Sequence, residues 1–173
     1  TSKSDLDFFE SNFKENMMTD KRITFKLKLV IAKILDVLGI TDYLLEKLNE
    51  KYENQYIRIV NYHDTKQDNK EKFESQLQWY KKYYNNISYV ELESFMMKKD
   101  YLKKPGLILT FDDGLKGNYE IALPLIEKYD FTGYFMCSSD FIGKPGYMNA
   151  KELRTIIYAG HVIGKHTATH HSM

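Results

Sequence analysis

The feature that most constrains the fold is a regular alternation of short apolar runs with helix-spaced patterns, between about residue 56 and residue 166. The run GLILTF at 106–111 is apolar apart from one threonine and is bounded by turn residues. Such a run is typical of a strand that is buried on both faces, as in a parallel sheet. Because strands and helices alternate, the sequence predicts parallel pairing and an α/β layered or barrel fold.

The predicted strands are rich in β-branched and aromatic residues, and the predicted helices have apolar residues at helical spacing. Pro124 is expected to kink one helix near its middle. The predicted strands are 56–64, 87–89, 106–111, 131–138 and 161–166. The predicted helices are 23–38, 41–51, 70–84, 91–99, 118–129 and 149–160. We therefore expect a helical segment over 1–52, followed by an α/β domain over 53–173.

The composition excludes several classes of protein. With 25 basic and 24 acidic residues the chain has a formal charge of +1, so no overall electrostatic field attracts nucleic acid. Nucleic acid is therefore not expected as a partner. No run of about eighteen uncharged apolar residues is present, so the sequence predicts no membrane-spanning helix. The single cysteine, Cys137, rules out an internal disulfide, and its apolar setting (YFMCSS) predicts a buried, unreactive thiol.

The predicted first helix has an apolar face and an excess of basic residues over 21–38, with five basic residues against one acid. Such a helix can lie on an anionic membrane surface, although packing on the parent domain explains the same pattern. The first twenty residues lack the layout of a secretory signal. Because the chain starts at Thr1 instead of Met, that absence says little about a native precursor.

Three predicted strands end in polar side chains that can bind a metal or move a proton. In parallel α/β folds, reactive groups lie where strands pass into loops at their carboxyl ends, so these side chains predict a site at that edge. The residues are His63 after YIRIVNY, Asp112 and Asp113 after LILTF, and His166 after HVIGK.

The two neighbouring carboxylates raise a geometric question. Side chains of adjacent strand residues point to opposite faces, so Asp112 and Asp113 converge on one point only where the chain is leaving the strand. Gly114 is expected to provide that exit. The alternative is an ordinary strand-to-helix turn in which an aspartate caps the helix.

The chain ends in GKHTATHHSM, a stretch with three histidines. His166 and His170 are spaced i, i+4, so both imidazoles lie on one side of a helical turn and can reach one cation at about 2.0–2.1 Å. A purification tag is disfavoured because tags are consecutive histidines. His171, one position after His170, is expected to point away from the metal. Two histidines with one aspartate suit Zn²⁺ or another divalent first-row ion, which lowers the pKa of its bound water towards about 7.

TFDDG followed by HTATH resembles the NodB-type polysaccharide deacetylases, carbohydrate esterase family 4. The similarity extends over roughly 56–173, through the YH strand, NYEIALPLIEKY, TGYFM, IGKPGYMNAKELRTI and AGHVIGKHTATH. It implies a distorted (β/α) barrel of the NodB type that is incomplete in this chain. Residues 53–173 would then be the N-terminal portion of the deacetylase domain.

The resemblance also implies roles for individual residues. Asp112 would be the general base, and Asp113, His166 and His170 would bind a divalent ion, Zn²⁺ first and Co²⁺ or Ni²⁺ as further candidates. In the permuted branch that resembles poly-N-acetylglucosamine deacetylases, the histidine of an early YH strand is the general acid. His63 has that placement; the alternative is a structural histidine at a strand end.

Two departures from the family pattern stand out. The arginine that tethers the base and the walls of the acetate pocket would lie after Met173, and four or five strands do not close a barrel. We therefore expect either a fragment of a longer enzyme or a site completed by another chain. Lys165 also stands where a small polar residue is commoner.

The function implied is metal-dependent hydrolysis of N-acetyl or O-acetyl groups on a polysaccharide, with an N-acetylglucosamine-containing glycan preferred. Peptidoglycan, chitin-like oligomers and acetylated xylan also occur within the resemblance, and the oligomeric state stays open. The substrate class suggests a cell-surface, extracellular or membrane-associated location. The alternatives are a non-catalytic glycan-binding domain and an inactive truncated product.

Overall fold

The computed structural model describes residues 27, 28, 30, 31, 34, 35, 37–98 and 101–168. Contacts divide the chain into two compact units, one ending at Glu50 and the other beginning at Lys51. In the first unit, the described residues between 27 and 37 are helical, and helix α1, Ile40–Lys51, follows. The two helices are separated at Gly39, which has a φ of 70°. Of the predicted first helix, 23–38, residues 23–26, 29, 32, 33 and 36 lie outside the described part.

The second unit contains alternating strands and helices. Its strands are β1 (Ile57–Tyr62), β2 (Asn85–Asn86), β3 (Gly106–Phe111), β4 (Gly133–Cys137) and β5 (Val162–Lys165). Its helices are α2 (Lys70–Tyr83), α3 (Tyr89–Met96), α4 (Leu123–Lys128) and α5 (Ala150–Tyr158). Short 3₁₀ turns span Gln67–Asn69 and Ser139–Phe141, and a π-helical segment spans Asn118–Ala122. Within the described ranges, no helix is both long and apolar enough to cross a membrane.

All strand pairs in this unit are parallel, and the main order across the sheet is β1-β3-β4-β5. The two-residue strand β2 pairs with the start of β3, at Gly106 and Leu107, and β4 pairs with β3 from Leu109 onwards. The predicted α/β fold with parallel pairing is confirmed. Over the described residues, β1 and β5 each pair with one neighbour, so this sheet is open along both edges.

One face of the sheet buries the main core against the helices. Leu107, Leu109 and Phe111 of β3 are fully buried there, and Phe111 stacks on Phe135 of β4 with ring centroids 4.9 Å apart. Helix α2 packs on this face through residues that include Leu77. The apolar run of β3 is thus buried as its sequence predicts.

The opposite face has a smaller apolar cluster and leads to the polar edge of the sheet. Ile108 and Tyr134 are buried in this cluster, near the amino ends of their strands. Because side chains alternate between the faces, the same face carries Asn61 on β1 and Thr110 on β3 closer to the carboxyl ends. This alternation determines which side chains meet at the strand ends.

Two predicted elements differ from the structure. The segment predicted as one helix over 118–129 is π-helical through Ala122, and the α-helix starts at Leu123 with Pro124 in its first turn. Pro124 thus lies just after the change from π- to α-helical geometry, where the Leu123 N–H donates to the Asn118 carbonyl. The helix is therefore not one regular α-helix, and the kink at Pro124 stays a prediction.

The second difference concerns the segment between α2 and α3. The strand predicted over 87–89 lies at Asn85–Asn86, and α3 begins at Tyr89 instead of residue 91. Ser88 caps this helix: its hydroxyl accepts from the Glu91 backbone N–H, and the Glu91 carboxylate accepts from the Ser88 N–H. This capping box fixes the earlier start.

Candidate active site

The site is built around Asp112, the first residue after β3. Asp112 is 9% exposed, and its backbone N–H donates to the carbonyl of Tyr62 at 2.8 Å, which extends the β1–β3 pairing by one residue. The side-chain amide of Asn61 donates from Nδ2 to Asp112 Oδ2 at 2.7 Å. The carboxylate of Asp112 is therefore nearly buried, and one of its oxygens is held by a neutral donor.

Asp113 lies where the chain turns out of the sheet. Its φ is 71° and that of Gly114 is 77°, so two successive residues are left-handed. The exit thus begins at Asp113, one residue earlier than predicted for Gly114. A Cβ at position 114 would lie 3.1 Å from Cys137 Sγ, so glycine also permits close approach to β4. This turn takes Asp113 off the regular alternation, which explains how neighbouring carboxylates share one edge of the sheet.

His166 follows β5 and is fixed by β4. Its backbone N–H donates to the carbonyl of Cys137 at 3.0 Å, and its own carbonyl accepts from Ser138 Oγ at 2.7 Å. Its Nε2 lies 3.4 Å from Oδ1 of Asp113. The structure thus brings together side chains from strands β3 and β5, which are separated in the sheet by β4.

The Asp113–His166 pair fits two ligands of one metal ion. Its Oδ1–Nε2 separation of 3.4 Å is longer than an ordinary hydrogen bond. Two donors bound tetrahedrally at about 2.0–2.1 Å from one zinc ion are about 3.3–3.4 Å apart. Carboxylate oxygen and imidazole nitrogen are both zinc ligands. The third predicted ligand, His170, lies outside the described residues, and no group of three candidate ligands occurs among residues that are described.

His63 follows β1, directly beside Asp112 in the parallel register, since Tyr62 pairs with Phe111. Its side chain is exposed. Its carbonyl accepts from Nδ2 of Asn118 at 2.8 Å, and the Asn118 side chain is fully buried. The structure thus places His63 at the same sheet edge as the aspartates, and the side-chain amide of Asn118 holds its backbone there.

Asn118 connects the two loops that carry the predicted acid and base. Besides the His63 carbonyl, its Nδ2 reaches the carbonyl of Asp112 at 3.4 Å, and its Oδ1 accepts from Thr65 Oγ1 at 3.2 Å. Gly117, just before it, packs so closely that a Cβ there would lie 2.3 Å from the Thr65 carbonyl. These contacts hold the loop after β1 against the loop after β3.

Sequence reasoning missed Asn61 and Asn118. For Asn61 a signal exists in the sequence: it stands two residues before His63 and therefore lies on the same face of β1. For Asn118 no local signal exists, because its partners are backbone carbonyls distant in sequence. The predicted burial of Cys137 is confirmed, and burial raises the pKa of its thiol to about 11.

Comparisons with known proteins show what this chain is similar to. The family model for polysaccharide deacetylases matches residues 99–173. The Bacillus subtilis (strain 168) protein YxkH, assigned by its name to the polysaccharide deacetylases, is 28% identical over an alignment of 121 residues, and the match covers 65% of this chain and 42% of YxkH. The resemblance to polysaccharide deacetylases, which are hydrolases, is thereby confirmed.

Two solved structures share the fold. The Streptococcus pyogenes deacetylase PplD, solved in complex with acetate, aligns with a TM-score of 0.59 at 23% identity, over 66% of this chain and 57% of PplD. IcaB from Ammonifex degensii aligns with a TM-score of 0.59 at 19% identity, over 64% of this chain and 52% of IcaB. The chain thus matches about half the length of these relatives.

Proposed function

We propose that this protein removes acetyl groups from a polysaccharide by metal-dependent hydrolysis, and that the polysaccharide contains N-acetylglucosamine. The observation that carries the proposal is the meeting of a nearly buried carboxylate, Asp112, with the ligand-like pair of Asp113 and His166 at one sheet edge. A carboxylate at the same sheet edge as two converging metal donors suits hydrolysis of an amide or ester by activated water.

Each candidate residue has its own role in the proposed reaction. A divalent ion held by Asp113, His166 and His170 would polarise the acetyl carbonyl and acidify a water molecule. Asp112, with Oδ2 held by Asn61, would accept the proton of the attacking water on its other oxygen. His63, in its protonated form, would donate a proton to the sugar nitrogen as the carbon–nitrogen bond breaks, so that acetate and a free amine leave.

Chemistry and resemblance together support an amino-sugar polymer as the substrate. PplD binds acetate in its solved structure, and acetate is the product of the reaction proposed here. The YH strand that ends at His63 resembles the branch acting on poly-N-acetylglucosamine, which favours an amino-sugar polymer over acetylated xylan. A substrate of this kind places the protein at the cell surface or outside the cell. We also propose that the segment 1–52, predicted to be helical, precedes the catalytic portion and contacts the membrane through 21–38.

A direct test is acetate release from N-acetylglucosamine oligomers by protein loaded in turn with Zn²⁺, Co²⁺ and Ni²⁺. We expect release that a chelator abolishes, and a loss of about 10²–10⁴-fold in Asp112→Asn, because the general base is removed. The matched control is Asp130→Asn, an exposed aspartate that pairs with Lys81 at 3.0 Å outside the site.

Two outcomes would count against the proposal. Absence of release with every metal would refute hydrolysis by this chain on its own, and equal rates for Asp112→Asn and the unmodified protein would refute the role of Asp112. Oligomer binding without release, unaffected by chelator, would instead favour a non-catalytic glycan-binding protein.

A further inference from the structure

The side chain of Asn61 holds the carboxylate of the proposed general base. Asn61 is a polar residue on β1, and its Nδ2 donates to Oδ2 of Asp112 at 2.7 Å, the length of a strong hydrogen bond to a carboxylate. An amide is a neutral donor, so it orients the carboxylate without forming an ion pair with it. One oxygen of Asp112 is thereby engaged, and the other is left to face the reacting water.

The Asn61 amide is held on both sides. The Asp112 carboxylate only accepts hydrogen bonds, so it requires the NH₂ group of Asn61 on its side. Thr110, the partner of Asn61 in the β1–β3 register, donates from Oγ1 to Asn61 Oδ1 at 3.2 Å and so holds the amide oxygen. Thr110 and Asp112 lie two residues apart on β3 and so on one face of the sheet. The three side chains form a short relay along that face.

We propose that Asn61 is a positioning residue that acts through Asp112, and that the Thr110 hydroxyl holds the amide of Asn61 in place by donating to its oxygen. The inference rests on the proposed function, since Asp112 acts as a base only if hydrolysis occurs. Asn61 fixes the rotation of the Asp112 carboxylate and leaves substrate binding and the metal ligands alone. A residue with that task changes the rate of the chemical step more than the affinity for substrate.

The kinetic test compares variants of this relay. Asn61→Ala frees the carboxylate, and we expect kcat to fall about 10- to 100-fold with KM within about twofold, because misplaced catalytic groups cost about that much. Thr110→Val removes only the orienting hydroxyl and is expected to lower kcat about 2- to 10-fold, the worth of one hydrogen bond. Thr110→Ser restores the hydroxyl and should restore the rate.

The control separates positioning from folding. Asn86 is also a strand asparagine, and its side chain donates to Thr132 Oγ1 at 3.0 Å and accepts from the Thr132 N–H at 2.7 Å, away from the site. Asn86→Ala is expected to lower stability and leave kcat unchanged. In an Asp112→Asn background, Asn61→Ala should cause no further loss of rate, since Asn61 acts through Asp112.

A second measurement is independent of turnover. In ¹⁵N-labelled protein, the side-chain amide signals of Asn61 should shift in Asp112→Asn and in Thr110→Val, and stay in place in Asp130→Asn. Unchanged signals in the first two variants would overturn the relay even in an inactive protein. If the protein is active and Asn61→Ala keeps kcat, or raises KM without lowering kcat, the positioning role is overturned. The proposed hydrolysis would then remain intact.

Discussion

At the residue scale, the site depends on left-handed backbone conformations, which residues other than glycine rarely adopt. Asp113 has a φ of 71°, and Thr167, the residue after His166, has a φ of 60°. A left-handed residue other than glycine costs about 1–2 kcal/mol. Such conformations persist only where the surrounding contacts fix them, and they tend to cluster at functional sites. Both of these lie at or next to a predicted metal ligand.

A pair of glycine variants tests how tightly this turn is held. Gly114 and Gly143 have φ values of 77° and 81°, but only a Cβ at 114 meets a neighbour, at 3.1 Å from Cys137 Sγ, whereas 143 faces open space. Gly143→Ala should cost about 1–2 kcal/mol from the backbone alone. Gly114→Ala should cost about 1–3 kcal/mol more, because the added methyl is overpacked.

Urea denaturation of the two variants measures the difference. Equal losses of unfolding free energy would show that the turn after β3 moves freely away from β4. In that case the close approach of Gly114 to Cys137 would not fix the position of Asp113.

At the element scale, the amino end of β5 is held by a buried histidine far from the reactive edge. His161, just before β5, accepts from the Gly133 N–H on its Nδ1 at 3.0 Å, which ties β5 to the start of β4. Its Nε2 lies 3.6 Å from Oε1 of Glu127 on α4. Burial lowers the pKa of His161, and the Glu127 carboxylate opposes this shift in part.

The lowered pKa makes stability depend on pH in a defined direction. The folded protein favours neutral His161, while the unfolded chain protonates it near its ordinary pKa of about 6.5. Protonation therefore stabilises the unfolded state, and the free energy of unfolding falls as pH drops below about 6.5. Protonation of Nδ1 would also remove the acceptor for Gly133.

Urea midpoints at about pH 7.5 and about pH 5.5, either side of the ordinary histidine pKa, check this expectation. His161→Asn keeps an acceptor for Gly133 but does not titrate, so it should lose less stability on acidification than the unmodified protein. An unaltered dependence in His161→Asn would show that another group is responsible.

The elements and the site were predictable to different extents. The strand at 106–111 and the polar strand ends followed from local pattern, because a doubly buried strand has a continuous apolar run and parallel strands share a carboxyl edge. The contacts of Asn61, Asn118 and the left-handed Asp113 depend on register between segments about 50 residues apart, which local pattern does not encode. The roles of His63, Asp112, Asp113, His166 and His170 stay predictions.

At the scale of the whole molecule, charge is balanced but unevenly placed. The chain has a formal charge of only +1, so an anionic partner must be met by a local surface. The first unit offers one: the described helical residues Leu27, Val30, Ile31 and Ile34 are between 47% and 58% exposed. Basic residues in the same segment include Lys28, and the sequence over 21–38 has five basic residues against one acid. An apolar stripe with basic flanks is typical of a helix that lies on anionic lipid.

Co-sedimentation with vesicles tests the proposed membrane contact. We expect binding to vesicles that contain anionic lipid, weaker binding at high salt, and little binding to neutral vesicles. Ile34→Glu should weaken binding by about tenfold or more, since a buried isoleucine contributes about 1.5–3 kcal/mol. Val90→Glu, at a residue 68% exposed on α3, is the matched control. Equal loss in both variants, or no binding at all, would contradict a contact through this helix.

The burial of Cys137 behind Gly114 has a practical consequence for spectroscopy. Burial raises the pKa of the thiol to about 11, so very little reactive thiolate forms at neutral pH, and that sulfur is buried. Because it is the only cysteine in the sequence, the native protein already serves as a nearly silent background for maleimide chemistry. A cysteine placed at Tyr158, which is 86% exposed, would accept a fluorophore or spin label selectively, without prior removal of the native thiol.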